Sequence, residues 1–239
     1  VNRSFIVKRS VTSRRDKLEA LKTLSRYIRH SITDEQVSCW IAQAEGRAKD
    51  GCDRTETALL KMLALSKSKE QSFGAAIQEI NLIPVSISYE YDPCAGDKAR
   101  ELHALEQGLT YIKDEFEDLD TILKGLVEYK GRIQVNFGTP ITQNYATADQ
   151  LAAEIDRQIQ NNYQLFPSNI MAWQMQGDRD SATFARLKQQ WPDEDWLESQ
   201  IRFQSHLAAI PSIHRQIAID AYAAPVNSQL AQQSQPQGN

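Results

Sequence analysis

Cysteine is scarce in this chain of 239 residues: Cys39, Cys52 and Cys94 stand far apart, with no C-x-x-C pair. That pattern speaks against a disulfide framework and a cysteine zinc site, and reads as reduced thiols in a cytosolic protein. No apolar run approaches the roughly 18 residues that a membrane span requires, and no signal-peptide pattern opens the sequence. Neither sign of charge dominates. With 27 basic and 31 acidic residues the net charge is −4, so bulk electrostatics favour neither nucleic acid nor an anionic membrane as partner. Asp50, Asp53 and Glu56 lack the oxygen-ligand spacing of a calcium loop and read as charges capping a helix. Internal repeats are also absent.

What is present suits one large domain with an appendage. A chain this long buries roughly 70–75% of its unfolded surface, so it needs no staple. The 41% hydrophobic and 24% charged composition is that of an ordinary globular protein. Charge is uneven along the chain. Residues 1–30 hold nine basic residues against two acidic ones, a net +7 that leaves −11 for the remainder. The N-terminal face is therefore a candidate anion-facing surface. The chain opens on Val1 and drops at once into an apolar run without a starter Met, and so reads as a fragment whose natural beginning is missing.

Strand-like runs stand at 4–10 (SFIVKRS), 37–44 (VSCWIAQA), 81–89 (NLIPVSISY) and 132–138, where Ile133, Val135 and Phe137 alternate. Helical spacing separates them: Leu18, Leu21, Leu24, Tyr27 and Ile28 in the first, then a run from Asp53 or Thr55 as N-cap, then two amphipathic stretches over 97–129, then 147–163. The expectation is an α/β fold with a mixed, mostly parallel sheet flanked by helices, occupying 1–165. That sheet should be incomplete, with one side short of a covering helix. From 166 to 223 only helical segments follow, punctuated by Pro167, Pro192 and Pro211, a C-terminal helical extension. Residues 224–239 are polar and Gln-rich and read as a disordered tail. Trp40, Trp173, Trp191 and Trp196 read as core or helix-packing residues.

In α/β sheets ligands sit beyond the carboxyl ends of strands, where loops lead into helix N-termini. The stretch AEGRAKDG, Ala44–Gly51, holds that place. Its glycines let backbone amides approach a bound group, Arg47 offers a planar fork suited to phosphate, and Lys49 adds a point charge. The following helix N-terminus contributes partial positive charge. Glu45 would orient the Arg or accept a bond from a ligand hydroxyl. Taken alone, the motif reads first as a surface turn with solvated charges.

Three stretches in order, SFIVKRS, AEGRAKDG and LIPVSISYEYDP, resemble the second, third and fourth sequence blocks of the glycerolipid acyltransferases, which include glycerol-3-phosphate and lysophosphatidic acid acyltransferases. The resemblance covers about 1–145. It implies transfer of a fatty acyl group from acyl-CoA or acyl carrier protein to a hydroxyl of a glycerol-phosphate or lysophospholipid acceptor, in phospholipid biosynthesis. It implies no metal or organic cofactor. It assigns phosphate binding to Arg47, Glu45, Gly46, Lys49, Lys8 and Arg9, with Pro84 and Tyr89 lining the pocket. It implies a cytoplasmic location, with peripheral contact at the inner face of a membrane left open.

Three departures accompany it. Glu45-Gly46-Arg47 is one residue shorter than the family's E-G-x-R. Asn2-Arg3-Ser4 replace the glycines before the phenylalanine. The family's first block, H-x-x-x-x-D, whose His is the general base and whose Asp orients it, is absent and would lie upstream of Val1. No catalytic residue is therefore assigned within this chain. His30 with Asp34 forms H-x-x-x-D, but in the wrong order relative to the other blocks. It reads as a histidine at a helix end followed by a cap. His103, His206 and His214 lie on helical segments with surface or core roles. The rival from another class is a non-catalytic phospholipid- or anion-binding module with the acyltransferase shell. Nucleic-acid binding through the +7 stretch is weaker, since no aromatic platform accompanies the charge.

Overall fold

The computed structural model describes residues 13–44, 48–177 and 179–234. It combines helices with a small two-stranded sheet, and 57% of the described residues are helical. Two compact units interleave in sequence. The first takes Val1–Arg47, Arg54–Pro84 and Phe137–Ile159, and the second takes Ala48–Asp53, Val85–Asn136 and Gln160–Asn239.

The first unit is built on α1 (Arg14–Thr33), α2 (Thr57–Leu63), α3 (Phe73–Glu79) and most of α6 (Ala148–Asn162). α1 begins where Ser13 Oγ accepts the Asp16 amide, and it ends where the Asp34 amide donates to His30 O. Its apolar face packs Ile28, with Leu21, Leu24 and Tyr27, into a core with Leu60, Ile77, Leu151 and Ile155. α2 is too short to satisfy its own ends, so a neighbour does so. The buried Ser25 Oγ donates to Leu63 O at 2.9 Å and accepts the Ser66 amide at 3.0 Å. The expected capping by Asp53 or Thr55 is not found. α2 starts at Thr57 after Glu56, and Thr55 instead gives both its amide and hydroxyl to Asp156 of α6.

The second unit contains β1 (Val85–Tyr89), α4 (Ala95–Glu106), α5 (Glu117–Val127), nearly all of β2 (Ile133–Phe137), α7 (Pro167–Met175), α8 (Ser181–Lys188), α9 (Trp196–Ala208) and α10 (Ser212–Ser234). α7 is its centre. Every residue from Pro167 to Trp173 is buried, as a helix apolar all round must be. Ile170 and Met171 meet Phe203, Leu207, Ala223 and Val226 of α9 and α10 in one core. α4 closes with a Schellman motif: Leu109 N donates to Ala104 O, Gly108 N to Leu105 O, and Gly108 takes φ +70°.

The sheet corrects the expected topology. β1 and β2 pair, Gly138 N donating to Pro84 O and Glu90 N to Arg132 O. As one residue number rises its partner's falls, so the pair is antiparallel, not parallel. The alternation is also inverted. Ser86 and Ser88 are buried, while Ile87 and Tyr89 stand opposite Val135 and Ile133 on an exposed face. Ser88 is turned inward because its Oγ accepts the Gln164 amide. Over 37–44, where a strand was expected, the backbone is irregular, with Val37 and Ile41 exposed and Trp40 69% exposed. The run matches strand composition but meets no ladder partner among the described residues, and composition alone does not make a strand. The expected strand at 4–10 lies outside the described residues. The helical character expected over 166–223 is found, but helix continues past it. α10 runs to Ser234 and buries Ala224, Pro225 and Val226, where a loose tail was expected. Those residues extend the apolar face that composition, weighted by glutamine, concealed.

Pro225 inside α10 has no N–H for the carbonyl of Ala221. At that carbonyl Gly51 sits so close that a Cβ on it would lie 2.0 Å from Ala221 O, and Gly51 has φ +74°. Gly51→Ala is therefore expected to destabilise the protein by roughly 2–4 kcal/mol, through backbone overlap added to left-handed strain. Gly108→Ala, with open space around it, should cost only about 1 kcal/mol. Urea unfolding of the two variants checks the difference, and equal losses would contradict the close packing at Gly51.

Candidate phosphate-binding loop

The loop between residues 43 and 56 carries the densest set of predicted site residues. Upstream, Gln43 O accepts the Glu56 amide at 3.0 Å. Downstream, Ala48–Asp53 belongs to the second unit. Lys49 forms an ion pair with Glu101 of α4, Gly51 seats against α10, and Asp50 Oδ1 accepts the Cys52 amide at 3.0 Å. That last bond is an Asx turn, which holds a tight loop with local groups. Glu45–Arg47 lie outside the described residues, as do Lys8 and Arg9.

Lys49 is committed to Glu101, so its charge is largely compensated within the fold. The helix after the loop adds little. α2 has seven residues, and Glu56 stands at its cap, so its N-terminal partial charge faces a carboxylate already. Pro84 is buried and enters β1, where a residue without an N–H is tolerated; its carbonyl accepts from Gly138. Tyr89 ends β1 and is 40% exposed. Lys49, Pro84 and Tyr89 are thus each placed by their own local contacts.

His30 and Asp34 do meet, Nδ1 to Oδ2 at 2.5 Å, but both are exposed at the end of α1. The hydrogen bond from His30 and a second from Thr33 hold the Asp34 carboxyl below its ordinary range. The pair closes a helix and faces water. An open cleft of about 570 Å3 lies along Arg29, Ser66, Ser68, Glu70, Gln71 and Glu79. Arg29 there is already bound to Gln71 and Glu79.

Two partly buried polar networks in the second unit escaped sequence reasoning. Arg132 Nη2 and Nε reach the two oxygens of Glu90 at 2.7 and 2.9 Å, and Nη1 reaches Glu194 at 2.7 Å. The guanidinium lies 4.3 Å from the centre of the Trp191 ring. Desolvation works against its charge, but the bonds to Glu90 and Glu194 outweigh it and raise its pKa. Glu90 and Arg132 are opposed across the antiparallel ladder, a register that spacing along the chain does not reveal.

In the second network the Tyr222 hydroxyl oxygen accepts the Asp92 amide at 2.6 Å and lies 2.9 Å from His206 Nε2. When Nδ1 carries the imidazole proton, Nε2 accepts the Tyr222 hydroxyl proton and both groups are satisfied. Tyr91 packs against the same imidazole at 5.3 Å. Burial pushes the Tyr91 hydroxyl up to about 12, aided by the Glu90 charge. Among the described residues, no group of three or more His, Cys, Asp or Glu side chains is placed to hold a metal ion, and no helix is long and apolar enough to cross a membrane.

Comparison with protein-family models, with curated proteins and with solved structures finds no match for this chain.

The His206 network sets a pH dependence. Burial holds its imidazole below the usual value of 6.5, with Asp92 opposing in part. The unfolded chain then binds a proton that the folded one refuses. The contribution is complete above about 6.5 and is lost as pH falls toward the folded value. The unfolding midpoint should drop from about pH 7 to about pH 5. His206→Gln should flatten that slope, leaving the part due to His214, whose pKa burial and His103 also lower. A slope unchanged by His206→Gln would contradict the assignment.

Proposed function

We propose that the chain carries the acceptor-phosphate grip of a glycerolipid-acyltransferase-like protein. The carrying observation is the ordered set of three stretches, two of which have described elements compatible with the role. Val85–Tyr89 is a strand entered through Pro84, and Lys49–Gly51 is a loop braced by Glu101 and Ala221. Arg47, immediately before that brace, is the residue given to the phosphate. In this reading the finer fold is acyltransferase-like, with the strand at 4–10 bringing Lys8 and Arg9 to the same anion.

The reaction is transfer of a fatty acyl group from the thioester of acyl-CoA or acyl carrier protein. The acceptor hydroxyl oxygen attacks the thioester carbonyl carbon; a C–O bond forms, the C–S bond breaks, the thiol leaves, and the hydroxyl proton passes to a general base. The sequence contains no H-x-x-x-x-D to supply that base, so the chain binds acceptor in this reading without assigning the proton's destination. General base catalysis is typically worth about 10²–10⁴-fold. Thiol release from acyl-CoA in the presence of lysophosphatidic acid should therefore stay at background with this chain. Turnover lost on His30→Ala would contradict this and make the exposed His30–Asp34 pair the base. The non-catalytic anion-binding reading shares the grip, and sustained binding without turnover in a chain supplied with an upstream H-x-x-x-x-D would favour it.

Because a charge-assisted bidentate contact is worth roughly 1.5–3 kcal/mol, Arg47→Ala should weaken glycerol 3-phosphate binding about ten- to hundredfold. Arg47→Lys should restore only part, since an ammonium lacks the fork. Lys49→Ala should affect binding less than Arg47→Ala, because Lys49 is paired with Glu101. Calorimetric titration measures all three, and a change of less than about twofold for Arg47→Ala, below one lost hydrogen bond, would remove the assignment.

A further inference from the structure

Helix α5 is built inside out. Thr121 is its one buried residue, while Leu119, Ile122, Leu123, Leu126 and Val127 are between 55% and 74% exposed. Their spacing, i, i+3, i+4, i+7 and i+8, forms one apolar stripe, and such a stripe normally faces a protein partner.

Charge along the helix selects the partner. The first turn carries Glu117, Asp118 and Asp120, and the last turn carries Lys124. Glu117 and Asp118 are engaged by Tyr111 and Lys113, so Asp120 is the carboxylate placed for another molecule. An antiparallel copy of the same helix sets acidic beginning beside basic end twice over by symmetry, and it opposes the two macrodipoles. With the pair centred on Leu123, Asp120 of one copy comes within about 3 Å of axial rise of Lys124 of the other. Lys124 spends one of its three ammonium donors on Asp97 at 2.7 Å. An anionic lipid surface would meet the acidic first turn instead and be repelled.

Area agrees. With Phe116 before the helix and Tyr129 after it, also exposed, these side chains present on the order of 900 Å2, matching the about 800 Å2 per partner of a standard interface. We infer that α5 is a self-complementary interface through which two copies of this chain pair antiparallel. This stands apart from the acyl-transfer reading.

Sedimentation of the purified chain should give a dimer with a dissociation constant of about 10 µM or tighter. Leu126→Asp, on the exposed stripe, should weaken it about 100-fold with unchanged circular dichroism. Asp120→Lys and Lys124→Glu should each weaken self-association. A mixture of those two variants should pair better than either alone, since both cross-helix contacts are restored in the heterodimer. A monomer at about 200 µM, or a dimer indifferent to Leu126→Asp, would overturn the inference. So would a monomer whose stripe binds phosphatidylcholine vesicles, which would give the face to lipid.

Discussion

The approach of Gly51 to the carbonyl of Ala221 fixes where the candidate loop can be. Pro225 takes away the amide that this carbonyl would meet in a regular helix, and only a residue without a Cβ can come so near it. The positive φ of Gly51 then turns the chain, and the Asx turn at Asp50 holds the turn closed. Lys49, two residues earlier, is carried to Glu101. α10 can serve as this anvil because it lies against α7, a helix with no exposed face from Pro167 to Trp173. The order of dependence is thus core helix, proline gap, glycine, loop.

Two polar groups of the second unit, Arg132 and Asn169, are held in completed networks. Arg132 is satisfied by two carboxylates and an indole face, and Asn169 joins Phe166 N to Tyr222 O inside the core. Such groups add little net stability compared with apolar residues of the same size, but removing one partner is costly. Their effect is to select one arrangement of β1, α7, α9 and α10 among those that the apolar surfaces alone would permit.

Much of the helical structure was legible because α1, α4 and α6 repeat apolar residues at the helical period, and the strand at Pro84–Tyr89 because Val85, Ile87 and Tyr89 alternate. The sheet was not. Parallel order was inferred from alternation of strands with helices, whereas pairing of β1 with β2 depends on hydrogen bonds between residues distant in sequence, such as Pro84 with Gly138 and Glu90 with Arg132. The run around Trp40 has strand composition but no ladder partner among the described residues, and no count of β-branched residues distinguishes those cases. In the candidate loop, the glycines and charges were visible, but not that Glu101 would claim Lys49. That pairing joins positions 52 residues apart, and neither residue's neighbours announce it.

With Lys49 so engaged, the proposed phosphate recognition rests on Arg47, and the most direct measurement is the ³¹P resonance of glycerol 3-phosphate titrated with the chain. The account predicts a shift and broadening that inorganic phosphate reverses by competition, that glycerol does not reverse, and that Arg47→Ala removes. A resonance that the chain leaves unchanged, or one that responds equally to the chain and to its Arg47→Ala variant, would contradict it.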